Sequence, residues 1–295
     1  MKLATIQVNG KEQAAWVHEE KYILLEDVNK AWDQQWETEM FELITSGQWE
    51  QLTQLLTNDE QRQRLAQLPA LASDEVVHAP LYRHPRKIWG IGMNYVQDIA
   101  ELKQGDLDEE PVSFMKPDTT IIGPENEIEL PSQSEKVTAE AELALIIGKV
   151  CRHVTEEEAP HYVAGFCTAI DVTAADIHAR HPRFLARAKS FDTFFGFGSQ
   201  LITPDEVEDV LSLTVQTHHN GELVHENKTD HMKFQPWYIV SFLSQVMTLL
   251  PGDVIMTGTP GAVVLRDGDT VGCSILDHNG QLLLEHLRNG VIDGK

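Results

Sequence analysis

Hydrophobic and polar positions follow two different rhythms along the chain. From residue 87 onward, short apolar runs at 87–92, 112–116, 141–147, 162–171, 211–218, 253–256 and 270–275 read as strands. No regular helix separates successive pairs, which speaks against a doubly wound parallel sheet. Asn220-Gly221, between two extended runs, marks a hairpin because both residues tolerate positive φ, and His278-Asn279-Gly280 marks another. Helices are expected at 95–102, 172–180 and 235–250. In the last, Val240, Leu243, Val246, Met247 and Leu250 share one face.

Residues 1–75 have another texture. Strand-like runs at 4–8 and 22–25 precede a helical stretch at 27–68, rich in Gln, Glu, Leu and Trp, whose only glycine is Gly47. Trp32, Trp36 and Trp49 read as packing residues, since aromatic side chains bury large areas. Residues 68–85 hold three prolines and read as a linker. The pattern predicts an α+β protein with a small N-terminal α+β domain at 1–75 and a mixed-β domain at 76–295.

Charge narrows the list of partners. Acidic residues outnumber basic ones by 46 to 23, a formal net charge of −23. That field repels phosphate backbones and anionic lipid, so no nucleic acid and no membrane is expected as a partner. The three cysteines, Cys151, Cys167 and Cys273, show no CxxC spacing. This argues against a disulfide framework and a thiolate zinc site, and makes the cytoplasm the simplest compartment. The N-terminal run lacks the apolar core of a signal peptide. The most apolar long stretch, 237–250, contains Ser241, Ser244 and Gln245 and reads as a buried helix.

The chemistry begins with Glu140 and Glu142 in VTAEAELALIIG. On a strand both carboxylates share a face, with Ala141, Leu143 and Leu145 directed to a core. Two adjacent carboxylates repel unless a proton or cation intervenes. Glu-x-Glu recurs in this acidic chain, and a solvated strand face is the plain alternative. This pair, however, borders the most apolar strand, where an unpaired charge is costly. Asp171 ends another apolar run and reads either as a helix N-cap or as a third oxygen ligand. Three carboxylates without His or Cys suit a hard ion such as Mg²⁺ or Mn²⁺. Lys189, among Phe191, Phe194 and Phe195, is a snorkelling side chain or a positive group in a pocket. MTGTPGAV, 256–263, is a tight turn or a backbone cradle with the Thr259 hydroxyl for a carboxylate. It lacks the Lys and spacing of a P-loop.

The motifs WGIGMNYVQDIAEL, FMKP, TAEAELALIIGK, VAGFCTAIDVTAADIHAR, AKSFDTFFGFG, NGELVHE and LLPGDVIMTGTPGAV together resemble the fumarylacetoacetate hydrolase family over about residues 86–290. The resemblance implies a mixed β-sandwich roll with a variable small N-terminal domain, forming a homodimer. It implies Mg²⁺, Mn²⁺ or Ca²⁺ on Glu140, Glu142 and Asp171, and a small 2-oxo acid substrate held by Asn94, Tyr95, Lys189 and Thr259. The implied activity is C–C bond cleavage of the acylpyruvate or diketo-acid hydrolase type, with decarboxylation or tautomerisation of a 2-oxo diacid as the alternatives. A catalytically silent relative that binds a metal and a small acid is a third reading.

Several positions depart from the family pattern. Where relatives carry NYxxHxxE, the His position is Asp98, while the Glu is kept as Glu101. The usual Arg is Ala175, a usual Gln is His178, and the Gln after the NGE hairpin is His225. An Asp is a poorer base than His near neutral pH. One expectation follows: His178 supplies the missing imidazole, oriented by Asp98 or Glu101. Lys189 completes the expected catalytic set, and the acidic stretch 98–110 is a candidate lid.

Overall fold

The computed structural model describes residues 1–103 and 109–294; residues 104–108 of the candidate lid lie outside the described residues. The centre of the molecule is an antiparallel pair, Val137–Ile147 against Val163–Ala174. Both are long, apolar and rich in β-branched or small residues, and every residue of the second is buried. Val254–Met256 and Ala262–Val264 flank the first antiparallel. Ile88–Gly92 runs parallel to Val254–Met256, and Val112–Lys116 closes that edge.

A second, five-stranded sheet is ordered Glu222–Lys228, Thr214–His219, Thr270–Leu276, Leu282–Asp293, Glu127–Leu130. An apolar core including Ala141, Leu143, Leu145, Ile170, Val215, Ile275 and Leu287 unites residues of the two sheets. Parallel and antiparallel pairs coexist, and a few helices cover the sheets, so the fold is α+β with mixed sheets.

The N-terminal strand Lys2–Val8 pairs with Gln200–Ile202, so the first strands extend the large sheet. The expected helical stretch is four short helices, Leu25–Trp32, Met40–Thr45, Gln48–Leu56 and Asp59–Leu65. Asp33 and Gly47, both at positive φ, break it, and the Asn58 side chain caps the last helix by accepting from the Gln61 N–H. Trp36 and Trp49 pack in a core shared with Ala144, Cys167 and Phe197 of the larger part.

Three expected helices shrink: that at 235–250 is Pro236–Val246, leaving Met247 and Leu250 outside it and Val246 exposed. At 95–102 only a 3-10 turn, Ile99–Lys103, forms. At 172–180 the strand runs on through Val172, Thr173 and Ala174, and the helix is Ala175–Arg180. Asp171 therefore sits inside a strand, and the cap position belongs to Ala174.

Candidate metal centre

Strand register builds the site. Glu140 lies directly opposite Asp171, and Glu142 follows two residues on, so three carboxylates share one face. That face carries Ala144 and Ile146 further along, and it is the one turned away from the second sheet. One ligand oxygen from each of Glu140, Glu142 and Asp171 can be chosen so that all lie within 4.8 Å of one another. Glu142 and Asp171 are buried and Glu140 is half-buried. Burial raises the Glu140 pKa; burial, then Asp171 and Glu140, push Glu142 well above the usual carboxylate range.

Two lysines answer part of this charge. Lys189 donates to Asp171 Oδ2, and to Glu140 Oε2 at 3.2 Å. Burial alone would lower its pKa, but Asp171 and Glu140 outweigh that and raise it. The Phe114 ring centroid lies 4.5 Å from the Lys189 ammonium, a cation–π contact. Phe114 in turn needs Gly90, because a Cβ there would lie 2.2 Å from the ring. Lys116, on the same strand face as Phe114, has its ammonium 2.8 Å from Asp171 Oδ1. Its hydrogens go to the carbonyls of Lys189, Phe194 and Val172 at 2.7, 2.8 and 3.0 Å. Burial pulls its pKa down to about 8.

Asp171 Oδ1 consequently remains a buried oxygen with no hydrogen-bond donor among the described residues. With all three ionised, the carboxylates would exceed the two ammonium groups by one negative charge, and the proton that Glu142 retains offsets it until a cation takes its place. A hard divalent cation fits this donor set, and the lone pairs of Oδ1 are available to it.

The loop after Val254–Met256 closes the site on one side. Gly258, at φ +102, donates its N–H to Glu142 Oε2 at 2.5 Å. The Asn94 amide fixes this loop and its neighbour, donating to the carbonyls of Thr257 at 2.7 Å and Phe234 at 2.9 Å. Asn94 is thus already committed to backbone. Thr259 is half-buried, and its hydroxyl donates to Gly261 O at 3.1 Å and accepts from Gly261 N–H at 3.2 Å. The Tyr95 hydroxyl is buried and has no hydrogen-bond partner among the described residues. Burial, then Glu142, raise its pKa well above the usual phenol value, so it stays a donor.

The expected proton-handling groups lie apart from one another. Asp98 and Glu101 are exposed and shape their own 3-10 turn: Asp98 N–H donates to Glu101 Oε1 at 2.9 Å, and Asp98 Oδ1 accepts from Ala100 N–H at 2.8 Å. His178 is half-buried on Ala175–Arg180, and no described hydrogen bond joins it to Asp98 or Glu101. His225 stands against the loop, its Nε2 3.3 Å from Ala262 O; a Cβ on Gly261 would lie 2.6 Å from the ring. Lys116 and Phe114 were not singled out from sequence. The signal was in FMKP: a Lys two residues after an apolar position, on a strand whose neighbours are apolar.

Fold and centre together define a mixed-β scaffold carrying a carboxylate site suited to a hard divalent cation. Residues 87–291 match the family model described as fumarylacetoacetate (FAA) hydrolase C-terminal, and the chain belongs to the fumarylacetoacetate hydrolase family. It is 38% identical over 239 residues to human mitochondrial oxaloacetate tautomerase FAHD2B, covering 76% of each chain. Among solved structures it is similar to fumarylacetoacetate hydrolase from psychrophilic Exiguobacterium antarcticum, with TM-score 0.81, 29% identity and 99% of each chain covered. It is also similar to maleylpyruvate hydrolase from Sphingobium sp. SYK-6 in complex with manganese(II) and pyruvate, with TM-score 0.79, 26% identity and 100% of each chain covered. These relatives are named as enzymes of small organic acids. No helix among the described residues is long and apolar enough to cross a membrane.

Proposed function

We propose that the protein interconverts the enol and keto forms of a small 2-oxo diacid of the oxaloacetate class. The observation that carries this is the trio Glu140, Glu142 and Asp171, with oxygens within 4.8 Å and no imidazole among its described polar contacts. Tautomerisation moves protons and needs no activated water. Hydrolysis does, and the residue at the family's His position, Asp98, is exposed and bonded within its own turn. The name of the human relative points the same way.

In this reading Glu140, Glu142 and Asp171 hold Mg²⁺, Mn²⁺ or Ca²⁺. The cation would supply Lewis-acid polarisation of the 2-oxo group. Lys189 presents an ammonium to the substrate carboxylate. The Tyr95 hydroxyl offers a hydrogen bond to a substrate oxygen, and Thr259 with its loop backs the carboxylate. The chain acts as a homodimer in the cytoplasm; its three cysteines are buried and free, as suits a reducing compartment.

C–C bond hydrolysis is the second reading, supported by the likeness to maleylpyruvate hydrolase. Product analysis separates the possibilities. Purified protein with Mg²⁺ is given oxaloacetate and, separately, an acylpyruvate. Faster enol loss without CO₂ or pyruvate release is the expected result. Pyruvate release from the acylpyruvate alone would establish hydrolysis, CO₂ from oxaloacetate would establish decarboxylation, and inertness towards both would leave a silent binder.

A further inference from the structure

We infer that His225 is a positioning residue: it clamps the 259–262 loop and so sets the affinity for the substrate carboxylate. The inference rests on the reading just given, in which Thr259 backs that carboxylate. His225 is half-buried on the hairpin of Thr214–His219 and Glu222–Lys228. It stands opposite Thr217, and Thr217 in turn stands opposite Cys273 on Thr270–Leu276. Directly opposite residues share a sheet face, so the three form one row across the second sheet. Both ends of this row touch elements of the candidate site. Cys273 Sγ donates weakly to Glu142 O at 3.6 Å, and His225 Nε2 lies 3.3 Å from Ala262 O.

Gly261 is held from two sides. Ala262, the next residue, is paired opposite Glu140, so its side chain belongs to the face that carries the carboxylates. A Cβ on Gly261 would instead meet His225, at 2.6, 2.7 and 2.9 Å from ring atoms Cγ, Nδ1 and Cδ2; the bare glycine lets the imidazole lie against the backbone. On its other side the Thr259 hydroxyl donates to Gly261 O and accepts from Gly261 N–H. Because Ala262 O can only accept, the His225 nitrogen facing it carries the hydrogen. His225 thus fixes Gly261 and Ala262, and Gly261 orients the Thr259 hydroxyl. The trio's own spacing comes from the register of Val137–Ile147 with Val163–Ala174. Loosening the clamp therefore disturbs the carboxylate cradle and spares the ion.

Gly261→Ala gives an independent handle on the same contact. Gly261 is not at positive φ, and the three nearest atoms that a new Cβ would meet all belong to the His225 ring. The added methyl is admitted only when the ring or the loop gives way, and either movement breaks the clamp. His225→Ala and Gly261→Ala remove one interaction from its two ends, so their effects should not add.

Calorimetry of oxalate binding to the Mn²⁺-loaded protein, beside Mn²⁺ titration of the metal-free protein, tests this. His225→Ala and Gly261→Ala should each weaken oxalate binding about fivefold, the worth of one hydrogen bond, with Mn²⁺ affinity kept within about twofold. The double variant should bind oxalate no more weakly than either single one. His225→Gln, whose amide restores a donor, should recover most of the loss. Unchanged oxalate affinity in His225→Ala overturns the inference, as do additive losses in the double variant or a glutamine that recovers nothing. A parallel loss of Mn²⁺ affinity overturns it too, since that would mean a structural role. Should His225→Ala fail to fold, Gly261→Ala decides: weaker oxalate binding with Mn²⁺ affinity intact supports the clamp, and unchanged oxalate binding removes it. Wild-type protein that takes up Mn²⁺ but no oxalate ends the substrate reading itself.

Discussion

Lys116 places its ammonium 2.8 Å from Asp171 Oδ1, yet sends its hydrogens to three backbone carbonyls. The ammonium thus stands against Asp171 Oδ1 while its hydrogens point elsewhere. The same bonds fix the Lys189 carbonyl, so one buried lysine sets both a metal-ligand candidate and the neighbouring ammonium.

Lys116→Met should therefore destabilise the fold by about 3–5 kcal/mol, the typical cost of removing one partner from a buried pair. Three carbonyls would lose their donor and Asp171 its nearest cation. Urea unfolding of the metal-free protein measures this. A loss within about 0.5 kcal/mol, as for an exposed side chain, would contradict the arrangement.

Lys189→Met separates ion binding from substrate binding. Lys189 shares Asp171 Oδ2 and Glu140 Oε2 with any incoming cation. Its removal should leave Mn²⁺ affinity equal or higher, while oxalate affinity falls by about 10-fold or more, the worth of a charge-assisted hydrogen bond. Two calorimetric titrations suffice.

Metal uptake should depend on pH in a defined sense. Burial, then Asp171 and Glu140, raise the pKa of Glu142, so its carboxyl holds a proton at a pH where an ordinary carboxylate has lost it. A cation binds the ionised form and must displace that proton. Affinity should rise as pH increases through the raised pKa and fall as pH decreases, with proton release on binding. Titration in buffers of different ionisation enthalpy reveals the released protons.

Gly258→Ala tests the loop. The backbone is at φ +102, and a Cβ would meet Asn94 Cβ at 2.8 Å. The strain should cost about 1–3 kcal/mol and displace the N–H that Glu142 accepts. Thermal denaturation and turnover should both fall, with turnover falling further than stability alone explains.

Much of this was legible in the residues. Period-two alternation put Glu140 and Glu142 on one face and Leu143 and Leu145 in the core, because a strand face follows directly from spacing. Asp171 was harder: an acidic residue before a helix resembles a cap, and only the pairing with Glu140 shows that the strand continues. The extended N-terminal helical reading failed at Asp33 and Gly47, where positive φ ends helices that composition alone would continue. Lys116 escaped notice because its role comes from the backbone carbonyls of Val172, Lys189 and Phe194. Those contacts are long-range and leave no spacing signature.

The central claim is one divalent cation on Glu140, Glu142 and Asp171. Calorimetric titration of metal-free protein with Mn²⁺, wild type against Glu142→Gln, addresses it most directly. The account predicts one ion per chain for the wild type, oxalate binding only after loading, and loss of both in the variant. Wild-type protein that takes up no ion, or a variant that binds it equally well, would contradict it.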